Sequence, residues 1–199
     1  MEPVQHEVSP ISDPDSKDKP QRSIKSFAFD LAETLILSMV LFLIINSISA
    51  RIRIESISMQ PTLYEGDFVI VNRLAYKLGT PDRGDVIVFR FPLNPDQEPY
   101  IKRIIGLPGD VVRVQNGKVY INGEALREVY IKAPPNYTGN WSVPQGQLFV
   151  LGDNRNNSSD SHEWGMVPIA NVIGKAEIVY LPISHWQVLN PNTAAAAEP

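Results

Sequence analysis

The longest uncharged apolar run in this 199-residue chain sets the tightest limit on how the chain can fold. The run, TLILSMVLFLIINSISA, occupies Thr34–Ala50. As a helix, its 17 residues would be ~26 Å long at ~1.5 Å per residue, which is the lower limit for crossing a bilayer. Phe27–Leu31 can lengthen that helix, although Asp30 and Glu33 interrupt the apolar pattern. The sequence therefore predicts a single transmembrane anchor helix over residues 27–50.

The charges around this run indicate which way the chain would cross a membrane. Residues 1–26 are rich in Pro, Ser, Asp and Lys, so we predict a disordered cytoplasmic tail. Four positive residues precede the run and two follow it closely, which favours an N-terminus on the cytoplasmic side. They are Lys17, Lys19, Arg22 and Lys25 before it, and Arg51 and Arg53 after it. The bulk of this single-pass chain would then lie on the extracytoplasmic side, periplasmic or lumenal.

A cleavable signal peptide is the alternative interpretation of the same run. The apolar region of a signal peptide can be this short, and Ser-Ile-Ser before Ala50 has the small-x-small pattern of a cleavage site. The long polar segment ahead of the run, and the acidic residues where a basic start is expected, favour a retained anchor. The sequence leaves open whether residues 1–50 remain in the mature protein.

After the run, the pattern changes to short segments that are rich in β-branched residues and bounded by Gly, Pro or Asp. Examples are DFVIVNR, GDVIVFRF and QLFVLGD. We predict a mainly β fold with a mostly antiparallel β domain over residues 51–190, within which residues 111–151 form a small second lobe and a loop, and a disordered tail over 191–199. The pair Asn116-Gly117 between VVRVQ and KVYI predicts a hairpin, because a type I′ turn needs positive φ at both central residues.

Composition excludes several classes of function. The formal net charge is −4 and the basic residues are scattered, so we expect no binding to nucleic acid. There is no cysteine, which excludes disulfides and thiolate metal ligands. The polar segment GDNRNNSSDSHEWG contains several carboxylates, but it lacks the spacing of a calcium-binding loop. We therefore expect neither a metal nor another cofactor.

One strand carries two cations among bulky apolar residues. In YIKRII, the alternation of a strand places Lys102 on one face and Arg103 on the other. A lysine on an apolar face has a lowered pKa and can act as a neutral general base, whereas an arginine stays charged and suits an ion pair. The alternative is an edge strand on which both cations reach out to water.

Two other segments contain candidate polar groups. In ESISMQPTL, Pro61 offers no backbone donor and disfavours a helix, so the segment can present Ser58 outside a strand ladder. Taken alone, Ser56 and Ser58 could equally be ordinary turn serines. The segment Gly152–Gly165 is long and polar and follows an apolar strand, which fits either a solvated loop or a site.

Five segments in order, after an apolar run, make a more specific pattern. SMQPTL, GDFVIVNR, RGDVIVF, YIKRIIGLPGD and GDNRNNSSDSHEWG resemble the motif set of the type I signal peptidases. The resemblance covers roughly residues 55–168, with the anchor ahead of it. It implies a membrane-anchored serine endopeptidase that removes N-terminal signal peptides from exported preproteins after small residues, using a Ser/Lys dyad. Its partners would be those signal peptides and the lipid bilayer, and we expect a monomer.

The resemblance also implies a role for individual residues. Ser58 would be the nucleophile and Lys102 the general base. The backbone N–H of Ser58 and the hydroxyl of Ser56 would form the oxyanion hole, and Ser158 would hydrogen-bond and orient the lysine amine. Structural support would come from Arg103, Asp153, Arg155 and Asp160.

Two positions depart from the pattern of this family, and two other functions compete with it. Glu55 and His162 stand where relatives often have proline and arginine, and their roles are open. An ion pair between His162 and Asp160 is therefore in doubt and would depend on pH. The first rival is a Ser58/His162/Asp160 hydrolase, although the chain lacks the Gly-x-Ser-x-Gly elbow. The second rival is a non-catalytic, membrane-tethered β module that scaffolds exported proteins.

Overall fold

The computed structural model describes the backbone of residues 24–189 and the burial of the side chains of residues 26–189. Its first element is helix α1 (Ile24–Ile48), which contains neither Gly nor Pro. The 23 residues Ser26–Ile48 are long and apolar enough to cross a membrane, and none of their side chains is buried. Thr34 and Ser47 donate their hydroxyls to helix carbonyls at 2.8 Å, which satisfies these polar groups inside the helix. Residues 1–23 of the predicted tail 1–26, and the whole of the predicted tail 191–199, lie outside the described residues, whereas residues 24–26 belong to α1.

The rest of the described chain is mainly β, as predicted. In chain order the strands are β1 (Ser49–Arg53), β2 (Phe68–Asn72), β3 (Val86–Phe89), β4 (Tyr100–Gly106), β5 (Val111–Gln115), β6 (Lys118–Ile121), β7 (Glu124–Ala125), β8 (Gly139–Ser142), β9 (Gln147–Leu151), β10 (Val167–Pro168), β11 (Val172–Leu181) and β12 (Gln187–Val188). Short α-helices α2 (Ala75–Leu78) and α3 (Ser161–Trp164) and 3-10 turns at Ile169–Asn171 and Ile183–His185 interrupt them. The chain divides into two compact units, the first ending at Phe42 and the second beginning at Leu43, and all of these strands belong to the second unit.

These strands form two antiparallel sheets. The larger sheet has the order β1-β2-β11-β3-β4-β9-β10, with β12 paired to β11. The smaller sheet has the order β7-β6-β5-β8 and ends at Ser142. Strand β9, which lies inside the predicted second lobe 111–151, instead pairs with β4 in the larger sheet because its apolar run is buried there.

The hairpins of the smaller sheet follow from local backbone preferences. Asn116 and Gly117 have φ of 52° and 71°, and they join β5 to β6 with Gln115 opposite Lys118. Both central residues of this two-residue turn therefore have positive φ, as a type I′ turn requires. Asn122 and Gly123 repeat this arrangement between β6 and β7, with φ of 53° and 92°. The predicted hairpin is confirmed.

Strand β4 occupies the centre of the apolar packing. It lies between β3 and β9, and every residue from Ile101 to Gly106 is buried. Ile101, Ile104 and Ile105 each belong to a different one of the three buried apolar clusters. The edge-strand alternative for this segment is therefore wrong, and any cation on β4 is held among packed side chains.

Candidate active site

Strand β4 carries Lys102 into direct contact with Ser58. The lysine is 4% exposed and the serine 7% exposed, although they are 44 residues apart in the chain. Lys102 Nζ donates hydrogen bonds to Ser58 Oγ at 2.7 Å and to the carbonyl oxygen of Ile101 at 2.9 Å. In the neutral amine, the contact with serine can reverse, so that the hydroxyl donates to the nitrogen lone pair.

The surroundings of Lys102 make its neutral amine more accessible than that of a lysine in water. Burial lowers the pKa of Lys102 from its ordinary value of 10.5 to about 8. The carboxylates of Asp160 and Asp153 act in the opposite direction, because negative charge stabilises the ammonium form. Burial outweighs them, so a fraction of roughly one tenth of the amine is unprotonated at pH 7.

The segment that carries Ser58 is fixed from both sides. Directly after the serine, Met59 and Leu63 are fully buried in the apolar cluster that also contains Ile101. On the other side, the backbone N–H of Asn154 donates to the carbonyl oxygen of Ser58 at 3.0 Å. Gly152 permits this close approach, because a Cβ there would lie 2.4 Å from the carbonyl oxygen of Ser58. The hydroxyl is thus presented by backbone that is packed on one face and hydrogen-bonded on the other.

Two further serines were expected at this site: Ser56 lies next to Ser58, whereas Ser158 makes no hydrogen bond to the lysine. Ser56 is exposed, and its Oγ lies 3.2 Å from Ser58 Oγ. Ser158 is 9% exposed and lies against Gly152 and the Ser58 backbone, but its Oγ has no hydrogen-bond partner among the described residues. The hydrogen bond expected between Ser158 and Lys102 is absent, and the amine donates to Ser58 Oγ and to the carbonyl of Ile101.

On the opposite face of β4, Arg103 forms a buried ion pair with Asp153. Both side chains are fully buried, and Arg103 donates through Nε at 2.8 Å and Nη2 at 2.7 Å to the two carboxylate oxygens. The hydroxyl of Thr62 donates to the same carboxylate at 2.5 Å. This network links β4, the loop after β9 and the segment after Ser58. The sequence motifs contain Arg103 and Asp153 as supporting residues, but no pattern indicated Thr62, which is 91 residues from Asp153 in the chain.

A second buried arginine is paired in a way that the sequence did not indicate. Arg155 is 1% exposed, and its guanidinium donates to both carboxylate oxygens of Glu128. The ring of Tyr130 lies between the two arginines, with its centroid 4.0 Å from Cζ of Arg103 and 5.9 Å from Cζ of Arg155. Glu128 lies between β7 and β8 in a segment that carries no motif, so only the fold brings it to the site.

Asp160 connects the loop backbone to His162. Its carboxylate accepts from the backbone N–H of Gly152 at 2.9 Å and lies 2.6 Å from Nδ1 of His162. That hydrogen bond raises the pKa of His162, while partial burial acts in the opposite direction. The His162 ring also stacks on Tyr137 at 4.0 Å, and no hydrogen bond joins it to Ser58 in the described part of the chain. The geometry gives no support to a Ser58/His162/Asp160 triad.

An open groove of about 720 Å³ contains the serine and the lysine. It is lined by residues 51–58 on one side and 98–102 on the other, together with Val88, Asn157 and Ser159. The lining therefore includes the end of β1, the start of β4 and the irregular segment 54–58, and Ile54, Val88 and Ile101 are its buried apolar part. Among residues 24–189, no group of three or more His, Asp or Glu side chains is placed to hold a metal.

A buried serine and lysine in contact at the wall of an extended groove are the parts of a serine hydrolase. The family model described as signal peptidase, peptidase S26, matches residues 28–181, and the chain belongs to this family. The chain is therefore a serine peptidase, and the resemblance found in its motifs is confirmed.

Individual proteins extend this comparison. The chain is 44% identical over 178 residues to a protein named probable signal peptidase I-2 from Synechocystis sp., covering 84% of this chain and 80% of that protein. It is 47% identical over 167 residues to a protein named signal peptidase I from Leptolyngbya laminosa, covering 80% of this chain and 82% of that protein. A crystal structure of a signal peptidase I from Enterococcus faecalis V583 has 35% identity and a TM-score of 0.44, covering 48% of this chain and 95% of that one.

Proposed function

We propose that the chain is a membrane-anchored endopeptidase that removes signal peptides from exported preproteins, with Ser58 as nucleophile and Lys102 as general base. One observation carries the proposal: a lysine that burial keeps partly neutral lies 2.7 Å from a buried serine hydroxyl. A serine hydroxyl becomes a useful nucleophile only when a nearby base takes its proton, and a neutral amine can do so. The family membership and the names of the relatives supply the substrate class.

In the first step, Ser58 Oγ attacks the carbonyl carbon of the scissile peptide bond. Lys102 Nζ takes the serine proton as the new C–O bond forms, and the carbonyl oxygen becomes an oxyanion. The backbone N–H of Ser58 donates to no acceptor among the described residues, so it is available to that oxyanion. The hydroxyl of Ser56, 3.2 Å from Ser58 Oγ, would be a second donor.

The remaining steps use the same two residues. The lysine ammonium gives its proton to the leaving amine, which becomes the new N-terminus of the mature protein, and the C–N bond breaks. A water molecule then attacks the acyl-enzyme ester while Lys102 takes one of its protons. The ester C–O bond breaks, Ser58 recovers its hydroxyl proton from the lysine, and the signal peptide leaves with a free carboxylate.

The groove and the helix fit such a substrate. A signal peptide presents a short extended segment with small residues before its cleavage site. The groove is lined by residues of β1 and β4 and has a buried apolar part, which suits small side chains of an extended peptide. Ser58 is the eighth residue after Ala50, so the chain can span at most ~28 Å between them, and an anchored helix would keep the serine near the membrane surface.

A cleavage assay on a purified preprotein, with the detergent-solubilised full chain, tests the dyad. We expect Ser58→Ala and Lys102→Ala each to reduce kcat at least about 10⁴-fold, because each removes a group that the acylation step requires. His162→Ala is the matched comparison and is expected to retain most of the activity, since His162 contacts Asp160 rather than the dyad. Full activity of Lys102→Ala would exclude the lysine as base.

The orientation and the oligomeric state are also part of the proposal. The charge bias around the helix supports a cytoplasmic N-terminus, and the dyad lies within one chain, which supports a monomer. Protease protection of sealed vesicles tests the orientation: an epitope at residue 199 should be protected and one at residue 1 digested when the cytoplasmic face is outside. Sedimentation in detergent tests the oligomeric state. The scaffold alternative gives no reason for a buried lysine beside a buried serine.

A further inference from the structure

Asn154 holds the peptide unit that contains the backbone N–H of the proposed nucleophile. Its side-chain Nδ2 donates to the carbonyl oxygen of Ile57 at 3.1 Å, and its backbone N–H donates to the carbonyl oxygen of Ser58 at 3.0 Å. The two carbonyl groups flank Ser58 on its N-terminal and C-terminal sides. We propose that Asn154 is a positioning residue, which aims the Ser58 N–H at the oxyanion of the transition state. This inference rests on the proposed function of Ser58.

The planarity of the peptide bond connects the two ends of this unit. The carbonyl of Ile57 and the N–H of Ser58 belong to the same peptide group, which is planar and trans. In a trans peptide, the C=O and N–H bonds point in nearly opposite directions. A hydrogen bond that fixes the direction of the Ile57 carbonyl therefore also fixes the direction of the Ser58 N–H, which lies in the same plane and points away from the opposite edge of the peptide group.

The second bond of Asn154 restricts the next peptide plane. Because the carbonyl of Ser58 is held at 3.0 Å by the Asn154 backbone, rotation about both sides of the Ser58 Cα is limited. The carbonyl of Ile57 also accepts from the backbone N–H of Gln60 at 3.2 Å. Two donors thus converge on the Ile57 oxygen, and only the one from Asn154 is supplied by a side chain.

This geometry predicts an effect on the transition state rather than on substrate binding. The Ser58 N–H meets a neutral carbonyl oxygen in the bound substrate and a negatively charged oxygen in the tetrahedral state, so misdirection weakens mainly the second contact. Loss of an entire oxyanion donor costs about 10²–10³ in kcat. Since the backbone bonds to Ile57 and Ser58 remain in an Asn154→Ala variant, we expect the lower part of that range or less, about 10- to 100-fold.

The experiment compares steady-state kinetics of wild type, Asn154→Ala and Asn156→Ala with the detergent-solubilised full chain. Asn156 is a matched control, because it lies in the same loop and its Nδ2 also donates to a backbone carbonyl, that of Pro134, at 3.0 Å. We expect Asn154→Ala to reduce kcat about 10- to 100-fold with KM changed less than about threefold. Asn156→Ala is expected to stay within about threefold of wild type in both constants.

A pair of inhibitors separates positioning from a general structural defect. A peptide aldehyde with a signal-peptide sequence forms a hemiacetal when Ser58 Oγ adds to its carbonyl carbon. The carbonyl oxygen then takes the oxyanion position and the serine proton, and no group leaves. The corresponding peptide alcohol binds without this bond. Asn154→Ala should weaken the aldehyde several-fold, by less than the factor seen in kcat because the hemiacetal oxygen is uncharged, and leave the alcohol within about twofold.

The outcomes distinguish the inference from the function on which it rests. The ratio of the two affinities does not depend on how much of a sample is folded, so a less stable variant still gives an answer. Equal weakening of aldehyde and alcohol, or equal kinetics of the two asparagine variants, would refute the positioning role. Retained cleavage in Ser58→Ala would instead refute the proposed nucleophile, whatever Asn154→Ala does.

Discussion

Replacing Lys102 by methionine should abolish cleavage and at the same time stabilise the fold near neutral pH. Methionine matches the length of the lysine stem without its charge. The pKa of Lys102 is about 8 in the folded chain and 10.5 in the unfolded chain, where burial no longer acts. A difference of ~2.5 between the two pKa values corresponds to ~3 kcal/mol, at 1.36 kcal/mol for each pH unit.

The direction of this effect follows from proton binding. Between about pH 8 and 10.5 the unfolded lysine binds a proton and the folded lysine does not, so the free energy of unfolding rises with pH there. Below about pH 8, both states are protonated and the fold bears the full cost of ~3 kcal/mol for a buried ammonium. Above about pH 10.5 the cost disappears, because the amine is neutral in both states.

The two hydrogen bonds of the Lys102 amine also contribute to the difference in stability between Lys102→Met and wild type. Methionine loses the bonds to Ser58 and Ile101, each worth ~1 kcal/mol, and this loss does not vary with pH. Lys102→Met should therefore be ~1 kcal/mol more stable than wild type at pH 7 and ~2 kcal/mol less stable at pH 10.5. The change of ~3 kcal/mol between these pH values is the quantity to measure.

Guanidinium unfolding in detergent, followed by tryptophan fluorescence at several pH values from 7 to 10.5, gives this difference. Lys118→Met, which removes an exposed lysine of β6, controls for the loss of a lysine elsewhere. If the difference between Lys102→Met and wild type stays constant across this range within about 1 kcal/mol, burial does not lower the pKa of Lys102. The physical basis for a lysine base would then be lost.

Three other predictions follow from the same contacts. The pH profile of kcat/KM should rise through about pH 8, because the proposed lysine base must lose its proton; a rise centred near pH 6 would indicate a histidine instead. Gly152→Ala should reduce kcat/KM at least about 100-fold. A Cβ at this position would lie 2.2 Å from the Ser158 hydroxyl and 2.4 Å from the Ser58 carbonyl oxygen, so the Ser58 backbone must move and its hydroxyl is misplaced. Wild-type kinetics of this variant would contradict the close packing. Arg103→Met leaves Asp153 buried without its cation and should lower the free energy of unfolding by ~3–5 kcal/mol. The double variant Arg103→Met/Asp153→Leu removes the unpaired charge and should recover much of that free energy. Thermal unfolding of the two variants and wild type measures these differences.

The features that the sequence predicted well are those fixed by local preferences or by a motif. The turn at Asn116-Gly117 follows from backbone conformations that few residues adopt, so a dipeptide is sufficient to predict it. The mainly β class follows from short, alternating, β-branched segments. Ser58 and Lys102 were brought together by resemblance to a family, because neither residue's immediate neighbours distinguish it from a turn serine or a surface lysine.

The features that the sequence could not supply depend on contacts between distant segments. Glu128 and Thr62 become partners of Arg155 and Asp153 only after the sheets have packed, across 27 and 91 residues. The second lobe ends earlier than predicted because the pairing of β9 is decided by β4, not by the loop that precedes it. The orientation of the Ser158 hydroxyl is likewise set by neighbours that no pattern names.

The hydrogen bonds that hold the Ser58 segment have a consequence for the timing of activity in the cell. The chain is made from its N-terminus, so the proposed nucleophile Ser58 emerges long before its partners, of which Lys102 lies 44 residues later and Asn154 nearly a hundred. A nascent chain that ends before the loop after β9 has Ser58 and Lys102, but it lacks both hydrogen bonds from Asn154 and the pairing of β9 with β4. We therefore expect a nascent chain to gain cleavage activity only after the loop that follows β9 has been made.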